Sequence, residues 1–355
     1  MDEKKVLVAM SGGIDSSVCA AVLKQRGFEV TGVYMRFLPN SLKDEDDLAA
    51  RKSAQSAATI GIDYFCLDLR EKFKDQIIDY FIKEYSLGYT PNPCVRCNSL
   101  MKFEALLKES QKIGAGYIAT GHYVRIEKDQ EKEEFHIKRG LDETKDQSYF
   151  LYLLSQRHLA RTVMPLGEKR KDQVKKEAKS LKLPLLNRKE SQEICFVPDK
   201  DYVRFIKKES SSGFVEGPIL DERGNILGKH LGYAQFTIGQ RKGLGLSSSQ
   251  PLYVLDIDPK KNSVIVGPER SLYKKTLNAS QVNWISGQDL KSSLSVKAQI
   301  RYNHKAQDAV VIPKNSGQVE VKFKNPQRAI TPGQSVVFYD RDILLGGGTI
   351  MKDSN

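Results

Sequence analysis

The sequence predicts an α/β protein with a mainly parallel sheet covered by helices, followed by two small all-β units. Three observations carry this reading. Strand-like and helix-like segments alternate through the first half of the chain. A Gly-rich turn joins the first strand directly to the first helix. Beyond about residue 205, helical periodicity gives way to many glycines and short β-branched or aromatic runs.

Val6–Met10 reads as a buried strand, and Ser16–Gly27 as a helix stopped by Gly27. Glu29–Phe37 is the next strand, Leu48–Ile60 a helix, Asp63–Leu69 a third strand and Glu71–Tyr85 a further helix. Leu100–Ile113 reads as helix and Tyr117–Ile126 as strand. Glu209–Gly213 (ESSSG) has linker composition. Pro251–Asp256, Ser263–Gly267, Val296–Tyr302 and Val319–Phe323 are the clearest later strands. The expected division is 1–207, 208–275 and 276–355, with the last boundary near Lys275. No internal repeat is visible.

Of 355 residues, 40% are hydrophobic and 28% charged, which is ordinary for a folded chain. No apolar run reaches the roughly 18 residues of a membrane span. The opening MDEKKVLVAM has neither a secretory h-region nor an Arg-rich presequence, so the expectation is a cytoplasmic protein with no membrane partner. The net charge of +12 points to an anionic partner, nucleic acid first, with solubility alone as the plainer alternative. Five cysteines argue against a disulfide framework and leave catalysis, metal binding or packing for each thiol.

The turn after the first strand is Ser11-Gly12-Gly13-Ile14-Asp15-Ser16-Ser17. A Gly-rich turn between a parallel strand and a helix aims free backbone N–H groups at one point, and the helix N-terminus adds positive potential. Gly12 and Gly13 permit close backbone approach. The serines supply hydroxyls, and Asp15 is the candidate Mg²⁺ ligand. The loop is not a Walker A motif, because no Gly-Lys-Ser/Thr follows and no lysine is placed to reach a γ-phosphate. It is not a dinucleotide fingerprint either. It resembles the SGGxDS loop of ATP pyrophosphatases, which split ATP between the α and β phosphates and adenylate a carbonyl oxygen.

Cys19 and Cys66 lie in apolar surroundings and read as small buried hydrophobes. Cys94 and Cys97 lie in Thr90-Pro91-Asn92-Pro93-Cys94-Val95-Arg96-Cys97-Asn98, read as a loop feeding the Leu100 helix. Arg96 and the helix terminus are both expected to lower a thiol pKa there. Cys195 follows far downstream in Ser191-Gln192-Glu193-Ile194-Cys195-Phe196. Three readings stand at this point: loop packing, a metal or iron–sulfur site on Cys94, Cys97 and Cys195, or a nucleophile paired with a sulfur carrier.

Together, AMSGGIDSS, TPNPCVRCN, ATGHY, KDQSYFL, SQEICFVPD and GYAQFTIGQRKGLG resemble the tRNA-specific 2-thiouridylases, over residues 6 to about 349. The loop alone indicates only the superfamily; the cysteine motifs with GQRKGLG point to this family. The resemblance implies an adenine-nucleotide α-hydrolase-like (Rossmann-like) domain, a small β-rich central domain and a C-terminal tRNA-binding β-barrel. It implies ATP, with Mg²⁺, on Ala9, Met10, Ser11, Gly12, Gly13, Ile14, Asp15 and Ser16, with Met35 and Gly121 near the adenosine. The wobble-uridine C2 oxygen is then adenylated. Cys195 carries a persulfide, Cys97 is the nucleophile, and a Cys97–Cys195 disulfide remains. A cysteine desulfurase or sulfur-carrier protein supplies the sulfur.

The resemblance also places Asn92, Pro93 and Cys94 at the target base, and His122, Lys145, Asp146, Gln147, Arg301, Tyr302 and Gln334 on tRNA. Each also has a structural reading, as a loop histidine or a solvated strand pair. Reaching C2 requires the base to leave its stack. The run Glu168–Lys182 holds seven Lys/Arg against three acids and is either a phosphate-binding or a solvated helix face. Many family members carry Asp where this chain has Cys94, which favours metal over base chemistry and keeps an iron–sulfur route open. Two rivals remain: a small-molecule ligating pyrophosphatase and a non-catalytic RNA-binding module. Neither requires Cys97 or Cys195.

Overall fold

A computed structural model describes residues 1–184, 194–210 and 213–353. The N-terminal part contains β1 (Asp2–Ala9), β2 (Glu29–Arg36), β3 (Asp63–Asp68), β4 (Ala115–Ala119), the hairpin β5 (Val124–Lys128) and β6 (Phe135–Arg139), and β7 (Thr162–Val163). Five of these form an all-parallel sheet in the order β3-β2-β1-β4-β7. The middle strand β1 is buried on both faces, as a parallel sheet sandwiched between helices requires. Leu7 joins one core with Leu106 and Ile118, whereas Val6 and Val8 join the opposite one with Val18 and Leu23. Each such side chain contributes roughly 1.5–3 kcal/mol on leaving water. The helices α1 (Ile14–Gln25) and α2 (Lys43–Ile60) follow β1 and β2.

The expected strand Tyr117–Ile126 is two strands in two sheets. β4 ends at Ala119, and Thr120–Tyr123 turn the chain so that β5 leaves the parallel sheet. The expected helix from Leu100 begins instead at Pro93, and the helical run 93–112 passes through a π-helical stretch over Cys97–Phe103. Proline is suited to the first helical turn, where its missing N–H is no loss. Cys66 is exposed rather than buried, because β3 is the edge of the sheet and none of its residues is fully buried.

The helix Tyr202–Glu209 precedes the expected Glu209–Gly213 linker, of which residues 211–212 lie outside the described residues. The central unit contains β8 (Gly217–Leu220), β9 (Ile226–His230), β10 (Tyr253–Asp258) and β11 (Ser263–Gly267), ordered β10-β11-β8-β9. The last unit contains β12 (Tyr273–Trp284), β13 (Leu294–Gln299), β14 (Gln307–Pro313), β15 (Val319–Arg328), β16 (Ser335–Asp340) and β17 (Ile343–Ile350). Their order is β12-β15-β14-β13-β16-β17, and β12 pairs with β17 to close a six-stranded barrel.

The barrel and the parallel-sheet domain share a core. The hairpin β5–β6 extends the barrel sheet through β17, pairing Ile343 with Lys138 and Leu344 with Ile137. Val124 and Ile137 bury with Val337, Tyr339 and Leu344 in the cluster that also holds Leu7. Arg139 donates to Asp146 at 2.7 Å and Gln299 at 3.1 Å, and its guanidinium lies 3.8 Å from the Tyr339 ring centroid. The barrel is therefore fixed against the domain that carries the loop and cysteines.

Candidate active site

The Gly-rich loop lies at the C-terminal end of β1, where the strand order turns from β2 on one side to β4 on the other. Open α/β sheets bind ligands in the crevice at such a switch point. Gly12 has φ +75°, and a Cβ there would lie 2.5 Å from the Ala49 carbonyl oxygen of α2, so this position accepts only glycine. Ser16 Oγ accepts from Ser11 N at 3.0 Å, and Ser17 Oγ donates to the Gly13 carbonyl at 3.0 Å. These bonds shape the loop and leave the first N–H groups of α1 facing outward, as at any helix start. Met35 lies on β2 beside the loop, two residues beyond Val33, which pairs with Ala9. Gly121 follows β4 and presses on the loop; a Cβ there would be 2.8 Å from Ser16 N.

The side chains next to Gly121 face two ways. Tyr123 Oη donates to Asp15 Oδ1 at 2.7 Å. Lys171 Nζ donates to both Asp15 oxygens, at 2.8 and 2.7 Å. Asp15 is thus occupied by a phenol and an ammonium, and a Mg²⁺ ion on it would have to displace Lys171. His122 is buried, and its Nδ1 meets Thr120 Oγ1 at 2.7 Å. Burial, with Lys102 nearby, pushes its pKa down to about 3, so its imidazole is neutral at physiological pH.

Cys94 and Cys97 occupy the opening turns of the 93–112 helical run, not a loop. Burial pushes the Cys97 thiol up to about 11, with Cys94 adding to the rise and Lys102 opposing it. Burial raises Cys94 as well. The expected effect of Arg96 is absent, because its guanidinium turns away to the Gln76 carbonyl and lies 4.6 Å from the Tyr80 ring centroid. Lys102 is the cation at these thiols, held by Asn98 Oδ1 at 2.9 Å. Cys195 is solvent-exposed, although its neighbour Phe196 packs in the same core as Cys97. Crowding by protein, then Cys97 and Cys94, push its thiol up, and Lys102 pulls it down; solvent access weakens the first effect. The three thiols and Lys102 therefore lie within electrostatic reach of one another, though about a hundred residues separate Cys97 from Cys195 in sequence. Ser191, Gln192 and Glu193 lie outside the described residues.

Among the described residues, no three His, Cys, Asp or Glu side chains are arranged to hold a metal ion. Cys94, Cys97 and Cys195 as placed therefore do not form the three-ligand arrangement that an iron–sulfur cluster with one open iron needs.

The expected tRNA residues divide into two groups. Gln334 Nε2 donates to the carbonyls of Thr90 at 2.9 Å and Pro91 at 3.3 Å, so the barrel grips the segment leading to Asn92, Pro93 and Cys94. Tyr302, 38% exposed, lies 4.5 Å from the Phe150 ring centroid, and Asn98 donates to the Phe150 carbonyl. Arg301 donates to the Arg328 carbonyl of the barrel. Gln147 Oε1 accepts from Tyr123 N at 3.0 Å, and Lys145 is half-buried in the preceding turn. Asp146 differs. It is buried, and its oxygens accept from Arg139, Gly140 N, Ser148 N and Ser148 Oγ. That makes it a brace between hairpin and barrel rather than an RNA-facing group. The basic run also divides, with Lys171 buried against α1 and Lys175, Lys176 and Lys179 exposed.

A glycine-shaped loop at the switch point of a parallel sheet, next to clustered thiols and a closed barrel, defines a nucleotide-binding enzyme domain with appended β-domains. Residues 4–199 match the family described as the tRNA methyl transferase HUP domain, 203–268 its PRC-barrel domain, and 274–350 the aminomethyltransferase β-barrel domain. The chain is 49% identical over 356 residues to "tRNA-specific 2-thiouridylase MnmA 1" of Caldanaerobacter subterraneus subsp. tengcongensis, covering 98% of each chain. It is 47% identical over 358 residues to "tRNA-specific 2-thiouridylase MnmA" of Desulforamulus reducens, covering 99% of this chain and 98% of that one. The chain belongs to the tRNA-specific 2-thiouridylase family, a family of enzymes. Among solved structures, the U34-tRNA thiolase NcsA from Methanococcus maripaludis with its 4Fe-4S cluster is 19% identical and covers 59% of this chain and 67% of that one. Its TM-score is 0.35, a likeness too slight to carry any argument. No helix among the described residues is long and apolar enough to cross a membrane.

Sequence reasoning missed Lys102 and Lys171. Lys102 lies eight residues after Cys94, a spacing that has meaning only once the helix is known to begin at Pro93. Lys171 is separated from Asp15 by 156 positions and carried no local signal beyond the basic run.

Proposed function

We propose that the chain is a cytoplasmic tRNA-uridine 2-sulfurtransferase that uses ATP to convert the wobble uridine to 2-thiouridine. ATP binds Ala9, Met10, Ser11, Gly12, Gly13, Ile14, Asp15 and Ser16, with Met35 and Gly121 flanking the adenosine; Mg²⁺ accompanies its phosphates. The uridine C2 oxygen attacks the α-phosphorus, the bond to the β-phosphate oxygen breaks, and pyrophosphate leaves with that electron pair. The C2 carbon is now activated, with AMP as its leaving group.

Cys195 carries a persulfide, loaded by a cysteine desulfurase or sulfur-carrier protein. Its terminal sulfur attacks C2, and AMP departs. The Cys97 thiolate then attacks the Cys195 sulfur. The S–S bond breaks toward the base, giving C2=S and a Cys97–Cys195 disulfide, which an external dithiol must reduce. Exposure of Cys195 suits loading by another protein, and burial of Cys97 suits a thiol that reacts last. Asn92, Pro93 and Cys94 border the base, and Tyr302 with Phe150 offers an aromatic surface on which a flipped base can stack. In this reading His122, Lys145, Gln147, Arg301 and Gln334 contact the tRNA.

The observation that supports this most is the convergence of Cys97 and Cys195 around Lys102, joined through His122 and Gly121 to the phosphate loop. The test is incubation with ATP, Mg²⁺, tRNA, a cysteine desulfurase with its cysteine substrate and a dithiol reductant, followed by nucleoside mass analysis. An S-for-O mass gain on uridine is expected. Unchanged uridine, with ATP turned over on a small metabolite instead, would contradict it.

A further inference from the structure

We propose that Lys171 is the pyrophosphate-binding lysine of this site, supplied from a distant helix because the loop has none of its own. The inference deepens the ATP-dependent reading above and rests on it. Lys171 is the first residue of the helix Lys171–Ser180, whose other lysines, Lys175, Lys176 and Lys179, are exposed. Its side chain is only 10% exposed, unusual for a cation unless it is paired. Nζ holds both oxygens of Asp15, which is the second residue of α1. The ammonium therefore sits at the helix terminus toward which the loop directs its N–H groups.

The position is built rather than incidental. The Lys171 backbone N donates to Asp142 Oδ2 at 3.0 Å, fixing the start of its helix. Tyr123 lies beside the pair, its hydroxyl on Asp15 and its ring centroid 5.6 Å from Nζ. The helix packs on α1 through Val174 and Ala178, which share a core with Val18. A structural salt bridge of this kind contributes little by itself, since removing two charges from water costs about as much as their attraction returns.

A phosphate-reading role explains why the pair faces the loop. Asp15 holds the ammonium in place before nucleotide arrives. When the bond between the α-phosphorus and the bridging oxygen breaks, the departing pyrophosphate gains negative charge. A preplaced cation stabilises that charge without reorganisation. AMP, which lacks the β and γ phosphates, makes no use of it.

The test is calorimetric binding of ATP, AMP and inorganic pyrophosphate to the full chain, wild type against Lys171→Met and Lys171→Arg. For Lys171→Met, ATP and pyrophosphate are expected to bind roughly tenfold or more weakly, as loss of one charge-assisted contact implies, with AMP within about twofold of wild type. Lys171→Arg, which keeps the charge, should recover most of the loss. Equal weakening of ATP and AMP in a Lys171→Met protein of unchanged melting temperature would overturn the assignment and leave Lys171 a structural residue. So would unaltered pyrophosphate binding. If Lys171→Met fails to fold, the Lys171→Arg protein decides: an AMP affinity that falls as far as that for ATP overturns the assignment. Wild-type protein that binds no nucleotide would overturn both this inference and the ATP-dependent reading.

Discussion

The phosphate loop and the cysteine site are neighbours built in opposite ways. The loop comes from consecutive residues, and its shape is forced by sterics. Gly12 has a positive φ and no room for a Cβ, and Gly121 closes down from β4. The cysteine site comes from segments far apart in sequence, and is held by packing. Cys97 sits in a helix wall, Cys195 beside Phe196 at the surface, and Lys102 between them and His122. The comparison teaches that a binding loop can be specified by local geometry, whereas a site assembled from distant segments depends on tertiary packing to bring its thiols together.

Substitutions in the two regions should therefore fail differently. Cys195→Ser should abolish thiolation while leaving ATP affinity within about twofold, since it touches no part of the loop; wild-type thiolation by this protein would remove Cys195 from the chemistry. Gly12→Ala should fail one step earlier, at nucleotide binding. It should weaken ATP binding about 100-fold through misplacement of the loop, and lower stability by about 1–3 kcal/mol through backbone strain and the clash with Ala49. Thermal melting and calorimetry check both, and an unstrained alanine would break the contrast.

The pH dependence of Cys97 sharpens it. A thiol raised to about 11 is protonated at neutral pH, so its alkylation rate should climb about tenfold per pH unit between pH 7 and 10. Lys102→Met removes a cation that lowers this pKa, so alkylation at pH 9 should become slower. A pH-independent rate would mean that the thiol is already ionised. The smallest effect is expected at the barrel contact. Gln334→Ala loses two hydrogen bonds to the 90–91 segment, about 1 kcal/mol net, so tRNA turnover should fall about fivefold with ATP affinity unchanged.

The same contrast explains what could be read in advance. The alternation of strands and helices, the loop at the end of β1 and the switch to β-structure are all local patterns, and they stand in the structure. Where the sequence misled, tertiary packing decided. The sequence around Pro93 reads as a loop, yet a proline at a first turn begins a helix, as Pro93 does. Arg96 was expected to act on the thiols because it lies between them in sequence; on a helix, adjacent residues point apart, and Lys102 takes the role. Asp146 lies in a motif with Lys145 and Gln147 but turns inward to Arg139. The apolar neighbours of Cys66 predict burial, but β3 is an edge strand and the thiol is exposed. Lys171 could be found only in three dimensions.

The central claim is that Cys97 and Cys195 exchange sulfur bonds during one reaction cycle. The direct measurement is a single turnover on protein preloaded with labelled sulfur at Cys195, given ATP and tRNA without reductant, followed by peptide mapping. The account predicts labelled 2-thiouridine and a Cys97–Cys195 disulfide in equal amounts, with neither formed by Cys97→Ser. Labelled 2-thiouridine at the wild-type rate from Cys97→Ser, or without any disulfide, would contradict it.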